Sequence, residues 1–210
     1  NMEWEDTVQT ESLIFGDYFI PGADPQIYQQ ITDMDKLINV INEYLEDYNS
    51  VSNAPMNLVM FLDAIEHVSR VCRVIGLPLG NALLLGVGGS GRQSLTKLAA
   101  SIEDYQLFQI EISKQYGQNE WRDDLKTVLK KAGMDGENVV FLFTDTQIVK
   151  ESFLEDINNI LNSGEVPNLW GTDDEEQING AMRPLMQQQG IQQITKPAIA
   201  SFFTNRVRSN

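Results

Sequence analysis

From Asp33 onward apolar residues recur at Leu37, Ile38, Ile41, Leu45 and Tyr48, and the pattern dissolves in the polar stretch Asn49 to Asn53. That period predicts an amphipathic helix. A second helical face follows Pro55, carrying Leu58, Leu62, Ile65, Val68, Cys72 and Ile75, and Gly76-Leu77-Pro78-Leu79-Gly80 closes it. The pattern then changes. Ala82-Leu83-Leu84-Leu85 is a short unbroken apolar run between Asn81 and a glycine cluster, as expected of a strand buried on both faces. Beyond the glycines the chain reads as a helix over Gln93 to Glu103, a strand over Leu107 to Ile112, a helix over Asn119 to Lys131 with Trp121, Leu125, Val128 and Leu129 inward, and a buried strand over Val139 to Phe143. Phe153, Ile157, Ile160 and Leu161 mark another helix, which stops near Gly164. Strands alternating with helices predict an α/β fold on a parallel sheet.

The flanks are less regular. Residues 1–32 read as a lead-in segment punctuated by Pro21-Gly22 and Pro25, with a short apolar anchor at Leu13-Ile14-Phe15. Residues 165–210 open with Pro167, pass an acidic patch at Asp173 to Glu176 and include Gln187-Gln188-Gln189. A short helix is expected there around Ile178 to Met186. A last helix is expected from Pro197, whose fixed φ suits a first turn, carrying Ile199, Phe202, Phe203 and Val207. The chain shows no internal repeat.

Composition narrows the classes. With 210 residues at 42% hydrophobic, the chain can bury one sizeable core, and a single globular domain is expected. A formal charge of −15 repels a polyanion, which argues against nucleic acid as a partner. Cys72 is the only cysteine, so there is no internal disulfide and no Cys-rich zinc site, and the compartment reads as intracellular. Apolar runs stop far short of the roughly 20 residues of a membrane span, and the acidic start lacks the basic stretch of a signal peptide. The chain reads as soluble, with no membrane partner.

The richest chemistry lies in Gly86-Val87-Gly88-Gly89-Ser90-Gly91-Arg92-Gln93-Ser94, between a predicted strand and a predicted helix. Glycines there permit positive φ and close approach, so backbone N–H groups can converge on an anion at a helix N-terminus. Against G-x-x-x-x-G-K-[ST] both glycines match, but Arg92 stands in the place of Lys and Gln93 in the place of the Ser or Thr that holds Mg²⁺. A guanidinium is wide and planar and fits poorly between β- and γ-phosphates, though it still pairs with phosphate. Ser94 cannot replace the missing hydroxyl, because one helical position rotates a side chain by about 100°. Metal binding should therefore be weak. The alternative is a tight strand-to-helix turn that holds nothing.

The partner such a loop needs is an acidic residue at the end of a buried strand, able to hold Mg²⁺ directly or through water. Asp145 follows Val139 to Thr144 and lies 54 residues after Gly91. The next residue, Thr146, stands where many nucleotide hydrolases carry a Glu that polarises water, and it cannot act as a base at neutral pH. Hydrolysis is expected to be slow or absent, and no catalytic residue is assigned. Taken alone, Asp145 also suits a turn or helix cap. His67 has no neighbouring ligand and reads as structural, and Trp121 and Trp170 read as packing residues. Glu111, Glu120, Glu151 and Glu155 read as solvated or dipole-complementing.

The strings LLLGVGGSGRQSLTKLAA, DAIEHVSRVCRVIGLPLGNA and FLFTDTQIVKESFLEDINNILNSGEVPNL together resemble the fourth AAA+ module of axonemal dynein heavy chains. The resemblance runs from about Leu13 to Leu169 and resumes at Phe202 to Arg206. It implies a P-loop NTPase fold of the AAA+ type, with residues 33–210 as a truncated large subdomain. Within it, residues 33–80 would be the preceding helices, 81–164 the strand-helix core, and 165–210 a helical insert and last helix. It implies a sheet whose fourth and fifth strands and helical lid fall outside this sequence, and hence a piece of a longer polypeptide. It further implies ATP or ADP at Gly86 to Gln93 with Arg92 in the lysine's place, Asp145 as the Walker B aspartate and metal ligand, and Leu13-Ile14-Phe15 near the adenine. The implied role is regulatory, within a ring of AAA+ modules of the same heavy chain. That motor would walk on microtubules through other parts of the chain and assemble with other axonemal dynein subunits, in the cytoplasmic cytoskeleton of a cilium or flagellum.

Overall fold

The computed structural model describes residues 13–210. Within the lead-in segment 1–32, residues 1–12 lie outside the described residues. The chain divides after Glu103 into two compact units.

In unit one, β1 (Ile14–Gly16) pairs antiparallel with β2 (Gln29–Ile31), Ile14 opposite Ile31. Both isoleucines are buried, while Phe15 on the other face stacks on Tyr28 at 6.2 Å between ring centres. The lead-in thus contains a small sheet that the apolar pattern did not announce, because strands of this length carry too few positions to show alternation. Helix α1 (Met34–Val51) starts where Asp33 accepts the Lys36 amide at 3.0 Å, a side-chain cap on an otherwise orphaned N–H. Helix α2 spans Leu62–Ile75, so Leu58 precedes the helix the periodicity assigned it to. Helix α3 spans Arg92–Ile102. Leu37, Ile41 and Leu45 from α1, Ile65, Val68 and Cys72 from α2, and Leu98, Ala99 and Ile102 from α3 close one core with Ile14, Tyr18 and Ile31. The Tyr18 hydroxyl reaches Ser69 Oγ at 2.6 Å, and Tyr44 donates to the Tyr18 carbonyl at 3.1 Å, so both tyrosine hydroxyls are satisfied.

The expected first strand is corrected here. Ala82–Leu85 forms no ladder among the described residues, and Leu83 and Leu85 are 84% and 82% exposed. A doubly buried strand needs a neighbour on each edge to satisfy its backbone, and none of the described strands pairs with this run.

In unit two, β3 (Gln106–Phe108) and β4 (Val139–Phe141) pair in parallel, Leu107 opposite Val140, connected through α4 (Gln118–Lys130) and a π-turn at Lys131–Asp135. This β-α-β passage is the α/β feature the described residues contain, and both strands are shorter than the apolar runs that predicted them. A 3-10 turn (Asp145–Gln147) leads to α5 (Ser152–Ser163). Trp121 is fully buried at the centre, stacked on Phe153 at 4.4 Å, with Nε1 donating to Asp156 at 2.8 Å. Helix α6 spans Thr172–Gln188, nearly twice the reach of the helix expected around Ile178 to Met186. Its acidic first turn complements the helix dipole. Asp174 there accepts from Lys126 and Lys130 of α4, both at 2.7 Å, and from the Gly171 amide at 3.1 Å. Burial alone would raise the Asp174 carboxyl, but the two lysines and the amide outweigh it and hold the group well below the usual carboxylate range. Helix α7 (Lys196–Ser209) packs Ile199 and Phe203 against Ile178, Met182 and Met186.

Candidate functional site

The glycine loop is an exposed turn feeding directly into α3. Ser90 donates its amide to the Val87 carbonyl at 3.3 Å, which folds residues 87–90 back on themselves. Gly89 and Gly91 sit at φ +78° and +79°, a region that other residues adopt only with strain, whereas Gly86 and Gly88 use ordinary backbone conformations. Gly91 is the N-cap of α3 and has no side chain to satisfy the first-turn amides. A helix that begins this way directs partial positive charge into the loop, the arrangement anions use.

Arg92 is the loop's one formal charge, and it is turned inward. Its Nη1 donates to the Leu84 carbonyl at 3.3 Å and its Nη2 to the Val87 carbonyl at 3.2 Å. Ser94 is half-buried one residue past exposed Gln93. Leu13, Ile14 and Phe15 share unit one with the loop, and with Glu66, Ser69, Arg70 and Arg73 they line an open cavity of about 30 Å³.

Asp145 belongs to unit two. It is exposed at the start of the 3-10 turn, where its Oδ1 accepts the Thr146 amide at 3.0 Å. Thr146 Oγ1 lies 3.0 Å from Thr144 Oγ1. The position of Asp145 depends on Gln147, which the sequence reading passed over. Gln147 is buried, and its Oε1 accepts the Thr144 amide at 2.8 Å while its Nε2 donates to the Ile110 carbonyl at 2.6 Å. One amide side chain thereby ties the run-out of β4 to the run-out of β3. The signal was present as Thr144-x-x-Gln147, the spacing of a capping box.

The remaining candidates sit at the surface. Glu120 accepts the Gly117 amide at 2.9 Å and opens α4, while Glu111, Glu151 and Glu155 are exposed. His67 is exposed on α2, and among the described residues no cluster of His, Cys, Asp or Glu is set to hold a metal. One acidic group stands apart. Glu103 caps α3, and burial together with the nearby Asp17 carboxylate pushes its carboxyl up to about 7, with a hydrogen bond from Cys72 partly offsetting them. Its Oε1 is shielded from solvent and has no partner among the described residues. Burial likewise pushes the Cys72 thiol well above its usual value.

Residues 56–210 match the family model for the P-loop containing dynein motor region D4. The chain is 51% identical over 212 residues to dynein axonemal heavy chain 1 of Homo sapiens, a match covering 99% of this chain and 5% of that protein. It is 50% identical over 198 residues to dynein axonemal heavy chain 6 of Homo sapiens, covering 93% of this chain and 5% of that protein. It is 48% identical over 200 residues to dynein axonemal heavy chain 2 of Mus musculus, with 94% and 4% covered. The chain thus spans about one-twentieth of the length of the curated relatives it matches.

Proposed function

Because the chain belongs to the D4 region of the dynein motor and is similar along nearly its whole length to axonemal heavy chains, we propose that it is a regulatory nucleotide module of such a motor, binding ATP or ADP at its glycine loop and hydrolysing it slowly or not at all. The observation that carries this reading is the entry into α3: a positive-φ glycine at the N-cap, no capping side chain, and a guanidinium at the first helical position. These features suit a di- or triphosphate, whose oxygens would take the loop amides while the helix dipole favours their charge. Arg92 uses two of its five N–H donors on the loop carbonyls, which leaves others for phosphate. A lone exposed carboxylate at Asp145 suits Mg²⁺ held mainly by water and substrate oxygens, hence weakly. Thr146 beside it cannot act as a base at neutral pH, so nucleotide would stiffen the module more than drive it.

In this reading the working partners are neighbouring AAA+ modules of the same heavy chain, with microtubules and other dynein subunits engaged elsewhere in the polypeptide. The decisive experiment is an ADP and ATP titration of the motor, read at the 86–94 peptide by hydrogen exchange. Protection of that peptide without turnover lost in Asp145→Asn is the expected result; no protection at any concentration overturns it. A second reading, a structural element whose loop stays empty, is favoured by the inward turn of Arg92, and the same titration separates the two.

A further inference from the structure

Helix α3 begins at the glycine loop and ends at Glu103, its C-cap, whose amide donates to the Ala99 carbonyl at 3.1 Å. The carboxyl of that residue turns back toward the end of α2. Its Oε2 lies 3.7 Å from where a Cβ on Gly76 would stand, and Gly76 is the C-cap of α2. The group is thus seated between two helix C-termini, where partial negative charge gathers and an anion is disfavoured. The titratable groups that face it are Asp17 and Tyr18 after β1, Tyr44 on α1 and Cys72 on α2, and none of them can carry positive charge. Cys72 gives it a hydrogen bond, while Oε1 is shielded from solvent and has no partner among the described residues. Because that oxygen is already covered, chain packed on the outside of unit one reaches it only by displacing what covers it. The way out is nonetheless short. Glu103 is only half-buried, and the next residue, exposed Asp104, sits at φ +58°, a left-handed conformation that a residue with a Cβ adopts at a cost.

We propose that Glu103 is a proton-operated catch on the helix that leaves the glycine loop: neutral, its carboxyl stays seated between the ends of α2 and α3, and ionised, it swings out to water at the Asp104 corner and frees the last turn of both helices. The inference stands whether or not the loop takes nucleotide. Ionising the seated group leaves a charged oxygen with neither water nor donor, beside the Asp17 carboxylate and two helix C-termini. Burial and Asp17 place the changeover at about 7, against 4.5 for an ordinary glutamate, so the catch works near neutrality. The seated form holds the proton and the open form gives it up, so opening increases as pH rises.

The test uses the intact motor polypeptide carrying this segment, as parent and as Glu103→Gln, with hydrogen exchange read at the amides of residues 76 and 103. These are bonded to the Cys72 carbonyl at 2.9 Å and the Ala99 carbonyl at 3.1 Å, and both report the last turns. Taking the parent rate over the variant rate at each pH cancels the intrinsic pH dependence of exchange. With ionisation at about 7 when seated and 4.5 when free, that ratio should rise about tenfold between pH 6 and pH 8. Dilute urea should leave the rise unchanged, because a local opening exposes little surface. A ratio independent of pH overturns the catch. So does a rise that grows with urea as steeply as exchange in the core of α1, since the proton is then linked to unfolding of the whole unit. Should Glu103→Gln fail to accumulate, Asp17→Asn serves in its place. With the facing charge removed, exchange at both amides at pH 8 should be slower than in the parent, and an unchanged rate overturns the proposal.

Discussion

Glu103 offers the sharpest stability test, because a single atom exchange removes its charge. The carboxyl lies at the end of α3 beside Cys72 of α2 and feels the charge of Asp17 after β1, while Tyr18 and, on α1, Tyr44 feel its own charge. Its Oε1 has neither solvent nor partner among the described residues. In the folded unit it titrates at about 7, against 4.5 for the free side chain. The folded state therefore holds the proton more tightly, so the associated stability is fully present below pH 4.5 and is lost as pH rises through 7. A shift of that size would be worth about 3 kcal/mol at full burial, and partial solvent screening reduces it to about 1–2 kcal/mol. Glu103→Gln keeps the shape and removes the ionisation. Urea unfolding of parent and variant at pH 4 and pH 8.5, followed by fluorescence, isolates this group from the other carboxylates. The variant should match the parent at pH 4 and exceed it by about 1–2 kcal/mol at pH 8.5. An equal difference at both pH values would show that Glu103 ionises in the folded state without cost, and the reasoning would fail.

Other perturbations test the scaffold. Gln147→Ala should cost about 1–3 kcal/mol by stranding the Thr144 amide and the Ile110 carbonyl, and should speed exchange at the 145–148 turn that carries Asp145. Gly133→Ala would place a Cβ 2.4 Å from the Phe203 ring, and the forced repacking of α7 should lower stability by about 1–3 kcal/mol in thermal melts. Trp121→Ala should cost about 3–5 kcal/mol, since the indole is fully buried against Phe153 and its N–H is taken by Asp156. Because Asp174 is held below the usual carboxylate range, its contribution should persist into mild acid and fade only under strong acid, and Asp174→Asn should remove that part of the acid transition.

Legibility in the sequence followed the strength of the periodic signal. Helix α4 is correct to within a residue at each end, because Trp121, Leu125, Val128 and Leu129 repeat at helical spacing and all four bury. Helix α6 was underestimated because only Ile178, Met182 and Met186 mark its face. The charged turn before them reads as loop until Lys126 and Lys130 are seen to hold Asp174. The β1–β2 pair was missed because three-residue strands show no period, and its register depends on Ile14 finding Ile31 across sixteen intervening residues that carry no such signal. At the site, residue identities exposed the departures at Arg92, Gln93 and Thr146, while the inward direction of Arg92 required coordinates. Side-chain direction at a glycine loop depends on φ values that glycine leaves open.

The largest difference, at Ala82–Leu85, is also the most instructive. Four consecutive apolar residues state the environment the segment is made for: a sheet interior with neighbours on both edges. Among the described residues no strand supplies them, so Leu83 and Leu85 stand in solvent. An unladdered backbone must still place its polar groups, and the Leu84 carbonyl finds Arg92. A strand paired along this edge would compete for the Leu84 oxygen and weaken its contact with Arg92.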